Sequence, residues 1–159
     1  MTDRELLRAQ ILRHEGLRLV PYRDSLGFLT VGVGYNISAR GWEPLERVLG
    51  RKIDKNDPRL TREEALLMLD ADLDTTEREV GRRWPWTSLL APARRRAVLD
   101  MAFNLGVSGL ANFRQMLAAL RDGDYLMAEA EALDSKWRTD VGPIRSREVA
   151  EAIRTGVDA

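Results

Sequence analysis

Three residues near the N-terminus are spaced for chemistry: Glu15, then Asp24 after eight intervening residues, then Thr30 after five more. Two carboxylates in contrasting surroundings suffice for acid/base cleavage of a glycosidic bond, one giving a proton while the other activates water or stabilises a cation. Leu7 and Ile11 precede Glu15 at intervals of four, so a helix starting near Thr2 or Asp3 puts all three on one stripe, with Leu6 and Leu12 beside it. Glu15 then ends a core-facing stripe at a helix C-terminus, just before Gly16. Exposed carbonyl dipoles and apolar neighbours both favour the neutral acid there, which suits a proton donor. Arg13, His14 and Arg18 oppose that tendency, and a lone helix-end glutamate is ordinarily a surface residue. Its company sets this one apart.

Asp24 falls in a polar turn, Arg23 to Gly27, between two extended pieces, where it is expected to be partly solvated and ionised. From Phe28 to Tyr35 the chain alternates, with Leu29, Val31, Val33 and Tyr35 on one face and Phe28, Thr30, Gly32 and Gly34 on the other. Thr30 thereby shares its face with two residues that lack side chains. Such a face suits the floor of a groove approached closely by another chain, with the Thr30 hydroxyl orienting water or sugar; read structurally, the glycines mark a bend.

The segment HEGLRLVPYRDSLGFLTVGVGYNIS, His14 to Ser38, resembles the active-site signature of the phage-type lysozymes (endolysins) of the bacteriophage T4 lysozyme family. Glu15, Asp24 and Thr30 match that family's Glu, Asp or Cys, and Thr triad without a gap. A looser likeness continues through the long helix beginning at Thr61, RRAVLDMAFNLG from Arg95 to Gly106, Phe113, Trp137 and IRTG from Ile153 to Gly156. Two positions depart from it. Tyr35 stands where the best-known members carry a His after Gly-x-Gly, and His14 stands where an acidic residue is familiar. With Asp72 at the matching place on the long helix, the ion pair joining hairpin to helix is absent, and a hydrogen bond from the Tyr35 hydroxyl to Asp72 is the expected substitute.

Composition excludes competitors. Without cysteine there is no disulfide, zinc ribbon or thiol nucleophile, and with His14 the only histidine a multi-histidine zinc site is not expected. A serine triad would need His14 as base, and no Gly-x-Ser-x-Gly elbow occurs. Metal-free and cofactor-free chemistry through carboxylates remains. The 25 basic and 25 acidic residues cancel, which weakens a nucleic-acid-binding reading despite Arg94, Arg95 and Arg96 in a row; that run reads as a solvated helix start. No signal peptide or membrane span is visible, so a host-cytoplasmic protein without stable membrane insertion is expected.

A scaffold of 159 residues allows one sizeable core or two small lobes. A short helix is expected around Pro44 to Leu49. Thr61 with Glu64 forms a capping box, and Leu66, Leu69, Leu73, Thr76 and Val80 follow at steps of three and four. That pattern predicts a helix of about twenty residues, on the order of 30 Å long, able to separate lobes. Further helices are expected near Pro92 to Leu105, Ala111 to Arg121, Tyr125 to Ser135 and Pro143 to Arg154, the first of them central and buried. In it Asp100 and Asn104 form either an internally satisfied polar pair or a sugar-binding face, the pair being the default, and Trp137 reads as core or cleft wall.

The resemblance implies an α+β, mainly helical, two-lobed lysozyme-like fold, a single catalytic domain over 1–159. Its lobes are 1–60 with the hairpin, the helix 61–82, and the helical 83–159. It implies hydrolysis of the β-1,4 bond between N-acetylmuramic acid and N-acetylglucosamine in peptidoglycan. Glu15 would be the acid and Asp24 with Thr30 would activate water, with inversion. The substrate contacts would be Gly34, Tyr35, Phe103, Asn104 and Arg145, with Arg145 also a candidate partner of Glu15. A monomer is expected, reaching the wall with the help of a holin. Two alternatives stay open on the same fold, a lytic transglycosylase and a non-catalytic peptidoglycan-binding protein.

Overall fold

The computed structural model describes residues 1–158, which divide into two compact units, 1–74 and 75–158. The architecture is α+β and mainly helical, with one small antiparallel sheet.

In the first unit α1 runs Asp3–Glu15, started by a capping box in which Thr2 and Glu5 each bond the other's backbone N–H. It stops where Gly16 takes φ 75° and bonds back to the Leu12 carbonyl. The sheet follows as β1 (Arg18–Arg23), β2 (Leu29–Gly32) and β3 (Tyr35–Asn36), in that spatial order. The alternating run from Phe28 to Tyr35 is therefore not one strand. Gly32 and Gly34 both have positive φ, 68° and 67°, and turn the chain between β2 and β3. Asn36 then caps a four-residue helix α2 (Ile37–Arg40) by accepting from Ala39 N–H, an element not expected from the sequence.

Helix α3 (Glu43–Leu49) carries its proline in the first turn, where the missing N–H costs nothing. Helix α4 (Arg62–Arg83) opens on the expected box: Glu64 N–H donates to Thr61 Oγ1 at 3.1 Å and Thr61 N–H to Glu64 Oε1 at 2.9 Å. The Arg51 guanidinium adds two bonds to the same carboxylate, 2.6 and 2.9 Å, and holds its pKa down at about 2. Val31, Tyr35, Ile37, Leu45, Ile53, Leu60, Ala65 and Met68 form one apolar cluster that anchors sheet, short helices and the start of α4.

The second unit is helical. Helix α5 (Pro92–Leu110) turns at Gly106, φ 74°; α6 is Arg114–Asp122, α7 Tyr125–Leu133, and α8 Lys136–Thr155 with a break at Gly142. Helix α7 packs on α6 and α8, and α5 on α8. Residues 111–113 form a turn, so α6 starts three residues later than Ala111. The helix expected from Pro143 is present; what the sequence did not announce is the helical stretch 136–141 in front of it, separated from it by non-helical Gly142 at φ 83°. The arginine run is not a solvated start: Arg96 is 4% exposed and grips both oxygens of Asp158 at 2.7 Å, while Arg94 donates to the Ile153 and Arg154 carbonyls and stacks on Tyr125.

Candidate active site

Glu15 is the last residue of α1, below Leu7 and Ile11, both buried. Its half-buried carboxyl lies over the β2–β3 turn, where a Cβ added to Gly34 would stand 2.8 Å from Oε2 and 3.0 Å from Cδ. Only a residue with no side chain and an easy positive φ fits there, so Gly34 serves both the turn and the close approach of Glu15.

Asp24 and Thr30 are tied together through one residue, Phe28. The Phe28 N–H donates to Asp24 Oδ1 at 2.8 Å, and Leu26 N–H donates to the same oxygen at 2.9 Å. The Phe28 carbonyl accepts from Asp24 N–H at 2.9 Å and from the Thr30 hydroxyl at 3.0 Å. Two consequences follow from this local chemistry. One carboxylate oxygen of Asp24 is fixed by backbone donors, while Oδ2 has no hydrogen-bond partner among the described residues. The Thr30 hydroxyl, 4% exposed as a residue, must donate to the carbonyl, which can only accept, and its lone pairs remain to receive a proton donor.

Tyr22 is a residue that motif reading passed over. It pairs with Thr30 in the β1–β2 register, which places the two side chains on one face of the sheet. Its ring lies under the Arg18 guanidinium at 4.7 Å, and its hydroxyl has no hydrogen-bond partner among the described residues. Burial pushes the phenol pKa up; the Glu15 charge pushes it further, Arg18 opposes, and Asp24 adds to the rise. Both carboxylate charges thus act on this phenol. The turn itself was the signal: a hairpin closed around Asp24 to Phe28 pairs Arg23 with Leu29 and therefore Tyr22 with Thr30.

Tyr35 is 2% exposed, and burial raises its phenol pKa. Its hydroxyl donates to the Gly41 carbonyl at 2.8 Å and not to Asp72. Asp72 instead accepts from Arg40 at 2.9 Å, and that guanidinium lies 4.4 Å over the Tyr35 ring. An arginine from α2, unforeseen with α2 itself, supplies the cation, and Tyr35 supplies the surface it rests on. Phe103, half-buried, and Asn104, exposed, lie on α5 in the second unit. Asn104 is outside the polar pair expected for it; fully buried Asp100 pairs with Arg145, whose Nε and Nη2 donate to Oδ1 at 2.9 and 2.6 Å. Trp137, 3% exposed, borders a cavity of about 620 Å³ in the second unit together with Phe113, Met116 and Glu131, and its buried indole N–H has no hydrogen-bond partner among the described residues.

A helix-terminal glutamate packed on a glycine turn, beside a hairpin that fixes an aspartate and a threonine, defines an α+β protein of lysozyme type. The family model described as "Phage lysozyme" matches residues 12–151, and the chain belongs to that family. It is similar to the "Pre-baseplate central spike protein Gp5" of Enterobacteria phage T4, 35% identical over 147 residues, a match covering 86% of this chain and only 25% of that protein. It is also similar to "Probable T4-type lysozyme 1" of Dictyostelium discoideum, 27% identical with 89% of each chain covered. A third relative is the "SAR-endolysin" of Escherichia phage Mu, 29% identical over 94% of this chain and 78% of that one.

Proposed function

We propose that this chain hydrolyses peptidoglycan at the β-1,4 bond between N-acetylmuramic acid and N-acetylglucosamine. Glu15 protonates the leaving oxygen, while Asp24 Oδ2 takes a proton from a water that Thr30 helps to hold. That water attacks the opposite face of the sugar, so the configuration inverts. The observation that carries this reading is the Phe28 tether, which aims a partner-free carboxylate oxygen and a hydroxyl acceptor from one small turn. Membership of the phage lysozyme family supports the substrate class.

Phe103 and Asn104 are proposed substrate contacts, as is the Gly34 backbone. Arg145 enters through its buried pair with Asp100, and Tyr35 through support of the hairpin. No described helix is long and apolar enough to cross a membrane. Delivery of a cytoplasmic monomer to the wall by a holin-type pore completes the proposal.

The test is digestion of purified peptidoglycan followed by mass spectrometry of the new ends. Wild-type protein should release muropeptides with reducing ends, Glu15→Gln should release none while keeping its thermal midpoint, and Asp24→Asn should lower turnover more than wall binding. Lysis by Glu15→Gln at the wild-type rate, or anhydro ends from the wild type, would refute the assignment.

A further inference from the structure

A water placed for attack has two protons and two lone pairs to account for. On the proposed function, on which this inference rests, one proton points to Asp24 Oδ2. The second goes to Thr30 Oγ1, which can only accept because its own proton is committed to the Phe28 carbonyl. One lone pair is aimed at the anomeric carbon. The remaining lone pair needs a donor, and neither Asp24 nor Thr30 offers one.

We propose that the Tyr22 hydroxyl is that donor, the third group that holds the attacking water, so that Tyr22 is a catalytic residue alongside Asp24 and Thr30. Four observations converge on it. Tyr22 stands directly across the β1–β2 ladder from Thr30, on the same face of the sheet. Its hydroxyl is not used by the protein among the described residues, although the residue is half-buried. Arg18 stacked on the ring at 4.7 Å, together with pairing inside the sheet, limits where the hydroxyl can swing. Burial and the two neighbouring carboxylates keep the phenol protonated, hence a donor, across the pH range in which carboxylates do acid/base work.

The step balances without a further reactant. The water oxygen bonds to the anomeric carbon as the glycosidic C–O bond breaks, the Glu15 proton passes to the leaving oxygen, and one water proton passes to Asp24 Oδ2. The Tyr22 proton stays on its oxygen throughout. Its contribution is orientation, which converts a mobile solvent molecule into a placed reactant.

Tyr22→Phe keeps the ring and the Arg18 stack and removes only the donor. On peptidoglycan fragments of defined length, kcat should fall about tenfold with KM within about twofold of wild type and an unchanged thermal midpoint. In a Thr30→Val background the same substitution should cost much less, because the water is already released. A wild-type kcat in Tyr22→Phe, a loss confined to KM, or effects that multiply in the double variant would overturn the inference. If the phenylalanine variant melts early, a crystal structure of the wild-type protein decides: one ordered water should touch Tyr22 Oη, Thr30 Oγ1 and Asp24 Oδ2, and a water that misses Tyr22 Oη overturns the inference. Glu15→Gln run in parallel separates the two claims. If it still lyses walls, the proposed function itself fails; if it is inert while Tyr22→Phe turns over normally, only the role of Tyr22 fails.

Discussion

Gly34 shows how one missing side chain couples backbone shape to chemistry. A methyl group there would sit 2.8 Å from the Glu15 carboxyl oxygen, on a backbone with φ 67° that L-residues avoid at a cost of about 1–2 kcal/mol. Gly34→Ala should therefore lose stability by roughly that amount and lose more activity than the stability loss explains, because Glu15 must move to make room. Thermal unfolding and wall lysis measured on the same preparation check it; an active, stable alanine variant would mean that the carboxyl has space to spare. The Glu15, Asp24 and Thr30 spacing was legible because the motif is contiguous. Tyr22 was less so, since its relevance depends on cross-strand register and not on spacing along the chain. Asp100 with Arg145 was illegible for a similar reason: the partners lie forty-five positions apart, and helical periodicity pairs Asp100 with Asn104 instead.

At the level of elements, end signals were more readable than interiors. Thr61 with Glu64 caps α4 where side-chain chemistry says it should, and α1 starts at the expected place, just after Thr2. The breaks at Gly106 and Gly142 were visible as glycines, but the helix resuming after Gly106 and the helical stretch preceding Gly142 were not, because propensity says nothing about whether packing favours another turn. Helix α2 escaped notice for its shortness; one Asn cap and four residues carry almost no periodic signal. The α4 start also yields a pH prediction. Glu64 has its pKa lowered from 4.5 to about 2, first by the Arg51 hydrogen bond, so its contribution to stability is full above about 4.5 and disappears as pH falls toward 2. Glu64→Gln should lower the thermal midpoint by about 2 °C at pH 7, the pair being partly solvent-screened, and the difference from wild type should shrink toward zero near pH 2. A difference that persists at pH 2 would assign the effect to packing.

For the molecule as a whole, the described residues form two units, and residues 15 to 35, which carry the proposed acid, base and water-holding groups, lie within the first. Formal neutrality means that long-range attraction to an anionic wall is weak, so turnover rests on local geometry more than on charge steering. The central claim is that two carboxylates act from opposite sides of one sugar ring, with water between the ring and Asp24. Proton NMR of the first product formed from a peptidoglycan oligosaccharide, recorded before mutarotation, tests it most directly. The account predicts that the new N-acetylmuramic acid reducing end appears first as the α anomer, inverted from the β linkage. A β anomer appearing first would contradict it, because retention requires a covalent or ion-paired intermediate in place of direct attack by water.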